Sequence, residues 1–176
     1  MLRIHASEGP MLGFLFRGLT AEPKGGAALF DAATAEARRP AWYAEAGVPD
    51  TLDGRFAVLA TVTALLLVRL EGEGDEGNRL SVVLTERLIE VMESEHRELG
   101  LGDPTLGKTV RKLVGMLAKR TELWRSAKAG GTAWETATTQ SLRVDLQHDV
   151  AGRLTSELAS RIDATSLADL QKGQIA

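Results

Sequence analysis

Three histidines are the side chains best suited to metal binding or proton transfer, and they lie far apart in the sequence. They are His5, His96 and His148, and none has a second histidine one helical turn away. A helical zinc or haem site needs such spacing, because residues four apart share a helical face. The chain also has no cysteine, which excludes disulfides, thiolate metal sites and cysteine nucleophiles. We predict solvated histidines, no metal site and no cofactor.

Motifs for hydrolysis and phosphate handling are missing as well. The chain has no G-x-S-x-G elbow, no P-loop and no dinucleotide-binding glycine pattern. The acidic run EGEGDEGN, residues 71–78, lacks the alternating aspartates and distal glutamate of a calcium loop. Its three glycines among four acids predict a solvated connector instead. With no nucleophile beside a base, we expect a protein that is not an enzyme.

Composition predicts a helical protein. Of 176 residues, 44% are hydrophobic and 26% charged, an ordinary balance for one domain, while aromatic residues make up 5%. Alanine and leucine dominate, which favours helices over a β-sandwich. We predict an all-α bundle of six or seven helices over residues 26–176. A flexible segment, residues 1–25, precedes it, because prolines and glycines interrupt that segment.

Two central segments have clear helical periodicity. Apolar residues at 79–98 form one stripe opposite several glutamates, and a second stripe runs through 105–128. The glycines and proline of residues 100–104 separate these helices and resemble the spacing of a helix-turn-helix. The net charge of −3 and the acidic helix predicted at 79–98 argue against DNA binding. We expect an electrostatic match between helices or a patch for an acidic partner. The other face of the second helix is basic: Lys108, Arg111, Lys112, Lys119, Arg120, Arg125 and Lys128.

The last third of the chain has two helix-start signals. The run Thr132-Ala-Trp-Glu135 reads as a capping box, and apolar residues from Leu142 to Ile162 continue a helical face, with a kink at Gly152. A second box, Ser166-Leu-Ala-Asp169, opens a short helix that Gly173 closes. We therefore expect helices to the end and no strand.

A turn with strong helix-start signals, residues 48–54, precedes the most apolar segment of the chain. Asp50 or Thr51 is the predicted N-cap, with Asp53 in the first turn. Gly54 costs about 1 kcal/mol relative to alanine inside a helix, so its presence predicts a close backbone approach. Residues 56–68 carry no charge, yet a membrane span needs about 20 apolar residues. This segment is predicted to be the central helix of the bundle, or a helix with one face kept for a partner.

The order of these features resembles the ubiquinol-cytochrome c chaperone family, whose members assist assembly of the bc1 complex. The family pattern is a V-P-D-T-x-x-G-R-F turn, here at 48–56, and a helix ending in Arg69-Leu70. An acidic glycine loop follows, then R-E-x-G-x-G-D at 97–103 and a basic helix from Lys108. The resemblance covers residues 40–128. Family members commonly carry a histidine near the position of Val62, which this chain lacks.

The resemblance implies a non-enzymatic chaperone that holds newly made cytochrome b, together with a small co-chaperone and the ribosome. It implies no DNA partner and a cytoplasmic location, peripheral at the inner face of the plasma membrane, with transient proximity to the membrane surface. The matching turn residues expected to be structural are Asp50, Thr51, Asp53 and Gly54. The residues expected to contact partners are Arg55, Phe56, Arg69, Asp103, Lys108, Arg111, Lys112, Lys119 and Arg120.

A second function remains open from the residues. A helical bundle rich in leucine and valine can also open between helices to bind a lipid, such as a quinone or an isoprenoid, without catalysis. An enclosed, elongated cavity beside residues 56–70 would favour the lipid. An open apolar groove of a few hundred Å² would favour a protein client.

Overall fold

The computed structural model describes residues 26–98, 103–143 and 149–176, and this part of the chain is helical without a strand. The all-α prediction is thus confirmed there, while the predicted flexible segment 1–25 lies outside the described residues. Seven helices have five or more residues, and α2 is a single turn. The helices are α1 (Gly26–Ala37), α2 (Ala41–Ala44), α3 (Leu52–Leu70), α4 (Gly74–Glu98), α5 (Asp103–Lys128), α6 (Trp134–Leu142), α7 (Asp149–Ala164) and α8 (Leu167–Gln171).

Helix α3 is the axis of the bundle. It packs against α1, α4, α5, α6 and α7, and every residue from 60 to 66 is buried. A helix with neighbours on all sides has no solvent face, so its sequence has no polar stripe. Its buried Thr61 donates its hydroxyl hydrogen to the carbonyl of Ala57 over 2.7 Å, which satisfies that polar group inside the helix. The prediction of a central helix is confirmed.

The turn before α3 is held by backbone contacts. Thr51 is the N-cap, and its hydroxyl oxygen accepts a hydrogen bond from the backbone N–H of Gly54 over 3.2 Å. A Cβ at Gly54 would lie 1.8 Å from the carbonyl oxygen of Pro49. The close approach predicted at this glycine is therefore confirmed. Asp50 lies outside the helix and pairs with Arg55, 2.6 Å from its Nε.

The prediction that residues 71–78 form a solvated connector is wrong over most of that range. Helix α4 begins at Gly74, so residues 71–73 alone connect it to α3. Gly77 is buried, and a Cβ there would lie 2.5 Å from the carbonyl oxygen of Leu70. Glu76 and Arg79, one turn apart, form an ion pair. Close packing and this pairing favour the helix despite its glycines.

The capping box predicted at Thr132 is absent. Helix α6 starts at Trp134 with Ala133 as an N-cap that makes no side-chain hydrogen bond. The Thr132 hydroxyl instead shares a hydrogen bond of 2.7 Å with Ser126 at the end of α5. The second predicted box is confirmed, because the Ser166 hydroxyl oxygen accepts from the backbone N–H of Asp169 over 3.2 Å.

The helix predicted to run from 132 to 162 is two helices. Arg143 caps the C-terminus of α6 in a left-handed conformation, with φ of 55°, and this ends the helix nine residues before the kink expected at Gly152. Gly152 itself lies inside α7. No glycine marks the true break, since a charged residue, Arg143, takes the left-handed position.

A buried carboxylate joins the first described helix to α7. Glu36 has 5% of its side chain exposed and accepts from Arg39, 2.7 Å away, and from Arg161 on α7, 3.1 Å away. Its carbonyl oxygen accepts from the indole N–H of Trp42 over 3.0 Å. Helix α1 also packs against α8. These contacts close the bundle between its earliest and latest described helices.

Candidate functional site

An open groove of about 900 Å³ lies between α1, α2, the start of α3 and the second half of α4. We call it the apolar groove. Leu52 and Val91 within it are 46% and 39% exposed, high values for such large apolar side chains. Apolar side chains gathered in an exposed concavity commonly mark an interaction site. The residues that give the groove its apolar character are Phe30, Tyr43, Leu52, Phe56, Leu59, Val91 and Met92.

The rim of the apolar groove carries balanced charge. Asp31 of α1 and Arg38, directly after that helix, lie along it, as does the Asp50–Arg55 pair before and within α3. The hydrogen bond from Arg55 lowers the pKa of the exposed Asp50 carboxyl. Tyr43 donates its hydroxyl hydrogen to the carbonyl of Ala37 over 2.7 Å, and burial raises the pKa of that hydroxyl. The tyrosine ring is therefore fixed as a wall of the groove.

A cavity of about 300 Å³ adjoins the groove, and a cavity of about 580 Å³ adjoins that smaller one. The smaller one is lined in part by Phe56 and Met92, which also line the apolar groove. Both are lined by Arg120 of α5 and by Arg143 at the end of α6. We call these two cavities together the cationic cleft, defined by Lys112, Lys119, Arg120 and Arg143.

Arg120 forms the floor of the cationic cleft. The residue is 7% exposed, and its Nη2 and Nε donate to the backbone carbonyl of Ser141 over 3.1 and 3.4 Å. Burial lowers the pKa of the guanidinium, and the charge of Arg143 lowers it further. No carboxylate of the described chain forms an ion pair with either arginine. The positive charges of Arg120 and Arg143 thus border the same two cavities.

The structure brings together several residues that the sequence singled out. Arg55 and Phe56 border the apolar groove, while Lys112, Lys119 and Arg120 belong to the adjoining cationic cleft. They come from α3 and α5, helices that pack against each other along the bundle.

Other predicted residues lie elsewhere. Lys108 and Arg111 are on the exposed face of α5, outside the described lining of the cavities. Asp103 is the first residue of α5, and its side chain lies outside what the structure describes. Arg69 is in the last turn of α3, about 20 Å along the helix from Arg55 at a rise of about 1.5 Å per residue. It pairs with Glu73 and donates to the carbonyl of Thr165 over 3.2 Å, which joins α3 to the end of α7.

Sequence reasoning missed part of this surface. Val91 belongs to the apolar stripe of 79–98, and nothing in the sequence indicated its exposure or that of Leu52. Tyr43 lay in a short segment without a clear pattern. Arg143 reaches the cationic cleft because α6 ends at that residue, and the sequence predicted a continuing helix there.

Two absences hold for the described ranges of the chain. No group of three or more histidine, cysteine, aspartate or glutamate side chains is placed to hold a metal ion. None of the helices there combines the length and the apolar character that crossing a bilayer requires.

Comparison with known proteins identifies the family. A family model described as "Ubiquinol-cytochrome C chaperone" matches residues 44–170. The chain belongs to this chaperone family. A solved structure, the crystal structure of the Cbp3 homolog from Brucella abortus, matches with 27% sequence identity and a TM-score of 0.75. The match covers 94% of this chain and 95% of that one. A comparison with proteins of curated function found no match.

The family match extends beyond the resemblance read from the sequence, which stopped at residue 128. It continues through α6 and α7 into α8. The whole cationic cleft therefore lies inside the segment that matches the family model. The α1 wall of the apolar groove, with Phe30 and Asp31, precedes it.

Proposed function

We propose that this protein is an assembly chaperone of ubiquinol-cytochrome c reductase, the bc1 complex, and that it binds newly made cytochrome b without performing chemistry. Family membership supports the role in assembly. The observation that carries the binding proposal is the apolar groove, in which Leu52 and Val91 remain exposed to solvent. An apolar segment of a membrane-protein client fits such a surface, because both lose contact with water on binding.

The groove supports reversible binding. Apolar burial contributes about 25 cal/mol per Å², and association and side-chain ordering offset much of it. A client segment that covers a few hundred Å² would therefore bind and dissociate readily. The exposed cations of α5, namely Lys108, Arg111, Lys112 and Lys119, attract acidic parts of a partner. Such charges mainly set the association rate and orientation, and salt weakens them.

The proposal includes the cellular setting that the family implies. A small co-chaperone and the ribosome are the expected additional partners, and DNA is not. The expected location is the cytoplasm, with transient contact with the inner face of the plasma membrane, where cytochrome b is inserted.

The alternative function, binding of a quinone or another isoprenoid lipid, is less well supported. A long hydrocarbon tail is held best in an enclosed cavity. The apolar groove is instead open and bordered by charged side chains such as Asp31 and Arg38. The central residues of α3, 60–66, are packed against neighbouring helices. This arrangement favours a protein segment over a lipid.

Deletion of the gene in its native host tests the proposed function. We expect the amount of cytochrome b and the ubiquinol-cytochrome c reductase activity to fall together, and the intact gene to restore both. The second arm is co-purification of cytochrome b with a tagged chain while synthesis is under way. Normal amounts of cytochrome b and normal activity in the deletion strain would contradict the proposal.

A further inference from the structure

The cationic cleft contains an arginine whose burial is not balanced by an anion. Charged side chains that are nearly fully buried are usually paired. Arg120 is 7% exposed, and its described hydrogen bonds go to one neutral acceptor, the carbonyl of Ser141. Its Nη1 makes no described hydrogen bond although the residue lines both cavities of the cleft. The guanidinium group is thus held in place, and its Nη1 remains able to donate hydrogen bonds to a ligand.

Arg143 adds a second uncompensated charge at the same place. Its left-handed backbone, with φ of 55°, is unfavourable for a residue other than glycine. This conformation ends α6 and places an exposed arginine beside Arg120, where the two charges repel. Lys112 lines the smaller cavity and Lys119 lines the larger one, and neither lysine has a described ion pair.

The acidic residues of the cleft do not neutralise these cations. Glu122 lines the larger cavity but is paired with Arg125 on the outer face of α5. Asp53 lines the smaller cavity without an ion pair to a described residue. One carboxylate faces three cationic side chains in that cavity, so the cleft keeps an excess of positive charge. An incoming anion would relieve the repulsion.

The surroundings of the cleft indicate the chemistry of that anion. Two guanidinium groups with planar N–H forks match a carboxylate or another oxyanion in bidentate geometry. The smaller cavity continues into the apolar groove through Phe56 and Met92. A ligand that fills both spaces has an anionic group directly beside an apolar stretch. The open, charge-bordered groove suits a peptide better than the acyl chain of a lipid.

We propose that Arg120 and Arg143 form a carboxylate-binding site that recognises an acidic side chain next to the apolar peptide segment held in the groove. The proposal deepens the proposed function, on which it rests for the identity of the groove's occupant. It assigns the two arginines a role in selecting clients and fixing their register. Apolar segments followed by glutamate or aspartate are bound more tightly than equally apolar segments that end in neutral residues.

The test uses two labelled synthetic peptides with the same apolar stretch, one followed by Glu-Glu and the other by Gln-Gln. We expect the purified full chain to bind the glutamate peptide about tenfold more tightly, since a hydrogen bond to a charged group contributes on that scale. Arg143→Asn should remove this preference, because asparagine tolerates the left-handed backbone but carries no charge. The affinity for the glutamine peptide should not change.

Matched variants separate the site from general charge effects. Arg143→Lys keeps the charge but not the planar fork, and should retain only part of the preference. Arg153→Asn removes an exposed arginine of α7 that does not line the cleft, and should retain all of it. Thermal melts of the three variants check that folding is intact. Because Arg143 is exposed, its substitution avoids the loss of packing that replacing Arg120 would bring.

Several results would overturn the proposal. Equal binding of the two peptides, or no binding of either, would show that the cleft does not recognise a carboxylate on a peptide. Binding to phosphatidylglycerol vesicles that is lost in Arg143→Asn, without any peptide preference, would assign the cations to lipid headgroups. Co-purification of cytochrome b reports on the proposed function separately. If cytochrome b binds but the preference is absent, the carboxylate site fails and the chaperone function stands.

Discussion

Gly54 lies so close to Pro49 that a Cβ at residue 54 would be 1.8 Å from the Pro49 carbonyl oxygen. We expect Gly54→Ala to lower the free energy of unfolding by about 1–3 kcal/mol, because the turn must move away from α3. Gly115→Ala is the control: Gly115 is inside α5, and apart from the neighbouring backbone of its own helix no atom lies within 4 Å of its Cβ position. That variant should gain up to about 1 kcal/mol from helix propensity. Urea denaturation measures both, and equal midpoints would contradict the close contact.

Val91 offers a direct test of the apolar groove. We expect Val91→Asp to reduce binding of cytochrome b strongly, because it puts a charge where an apolar segment would lie. Val82→Asp is the matched control, since Val82 is on the same helix, is 56% exposed and does not line the groove. Both variants should fold, because both side chains are already exposed. Equal losses of binding in a pull-down assay would show that the groove is not the client site.

The exposed cations of α5 are expected to steer the client. Reversal of Arg111, Lys112 and Lys119 to glutamate should slow capture of cytochrome b and reduce bc1 assembly, while the melting temperature stays close to that of the wild type. None of the three has a described ion pair within the fold, so little stability depends on them. The difference from wild type should shrink as salt rises. Normal bc1 assembly in this variant would make the basic face an ordinary solvated surface.

Acid should weaken the contact between α3 and α5. Glu71, the C-cap of α3, accepts from the Nε of Arg125 over 2.9 Å, and this hydrogen bond lowers the pKa of its carboxyl from the ordinary value of 4.5. A carboxyl with a lowered pKa in the folded state stabilises the fold above pH of about 4.5. That contribution is lost as the pH falls through the folded pKa.

The Arg125→Gln variant should therefore lose less stability than the wild type between pH 6 and pH 3. The expected difference between the two proteins is on the order of a few tenths of a kcal/mol. Urea midpoints across this range measure the difference. Arg153→Gln, which removes an arginine without a described ion pair, should follow the wild-type profile. Parallel profiles for all three proteins would show that the Glu71–Arg125 pair contributes nothing to the acid response.

The parts of the fold that the sequence predicts are those fixed by local or strongly periodic signals. The uncharged run of α3 indicated a helix with neighbours on every side, and its residues 60–66 are all buried. The glycine at position 54 indicated a close approach because its cost in a helix needs a compensating contact. Ser166 and Asp169 form the predicted cap because both partners lie within one turn.

Predictions failed where contacts between adjoining helices and turns decided the outcome. Gly77 belongs to a helix because it fits against the carbonyl of Leu70, a contact that composition does not reveal. Thr132 pairs with Ser126 instead of capping α6, since the end of α5 offers it a closer partner. The cationic cleft depends on the end of α6 at Arg143. Sequence reasoning found its α5 cations by their periodicity but had no means to place them beside α6.

The link between Glu36 and Arg161 has a consequence for the order in which the protein matures. Of the described helices, α1 is synthesised first, and it packs against α3 and α4, but its ion pair with α7 and its contact with α8 need helices that are synthesised last. Because α1 forms one wall of the apolar groove, that wall receives its final attachments only when translation is nearly complete.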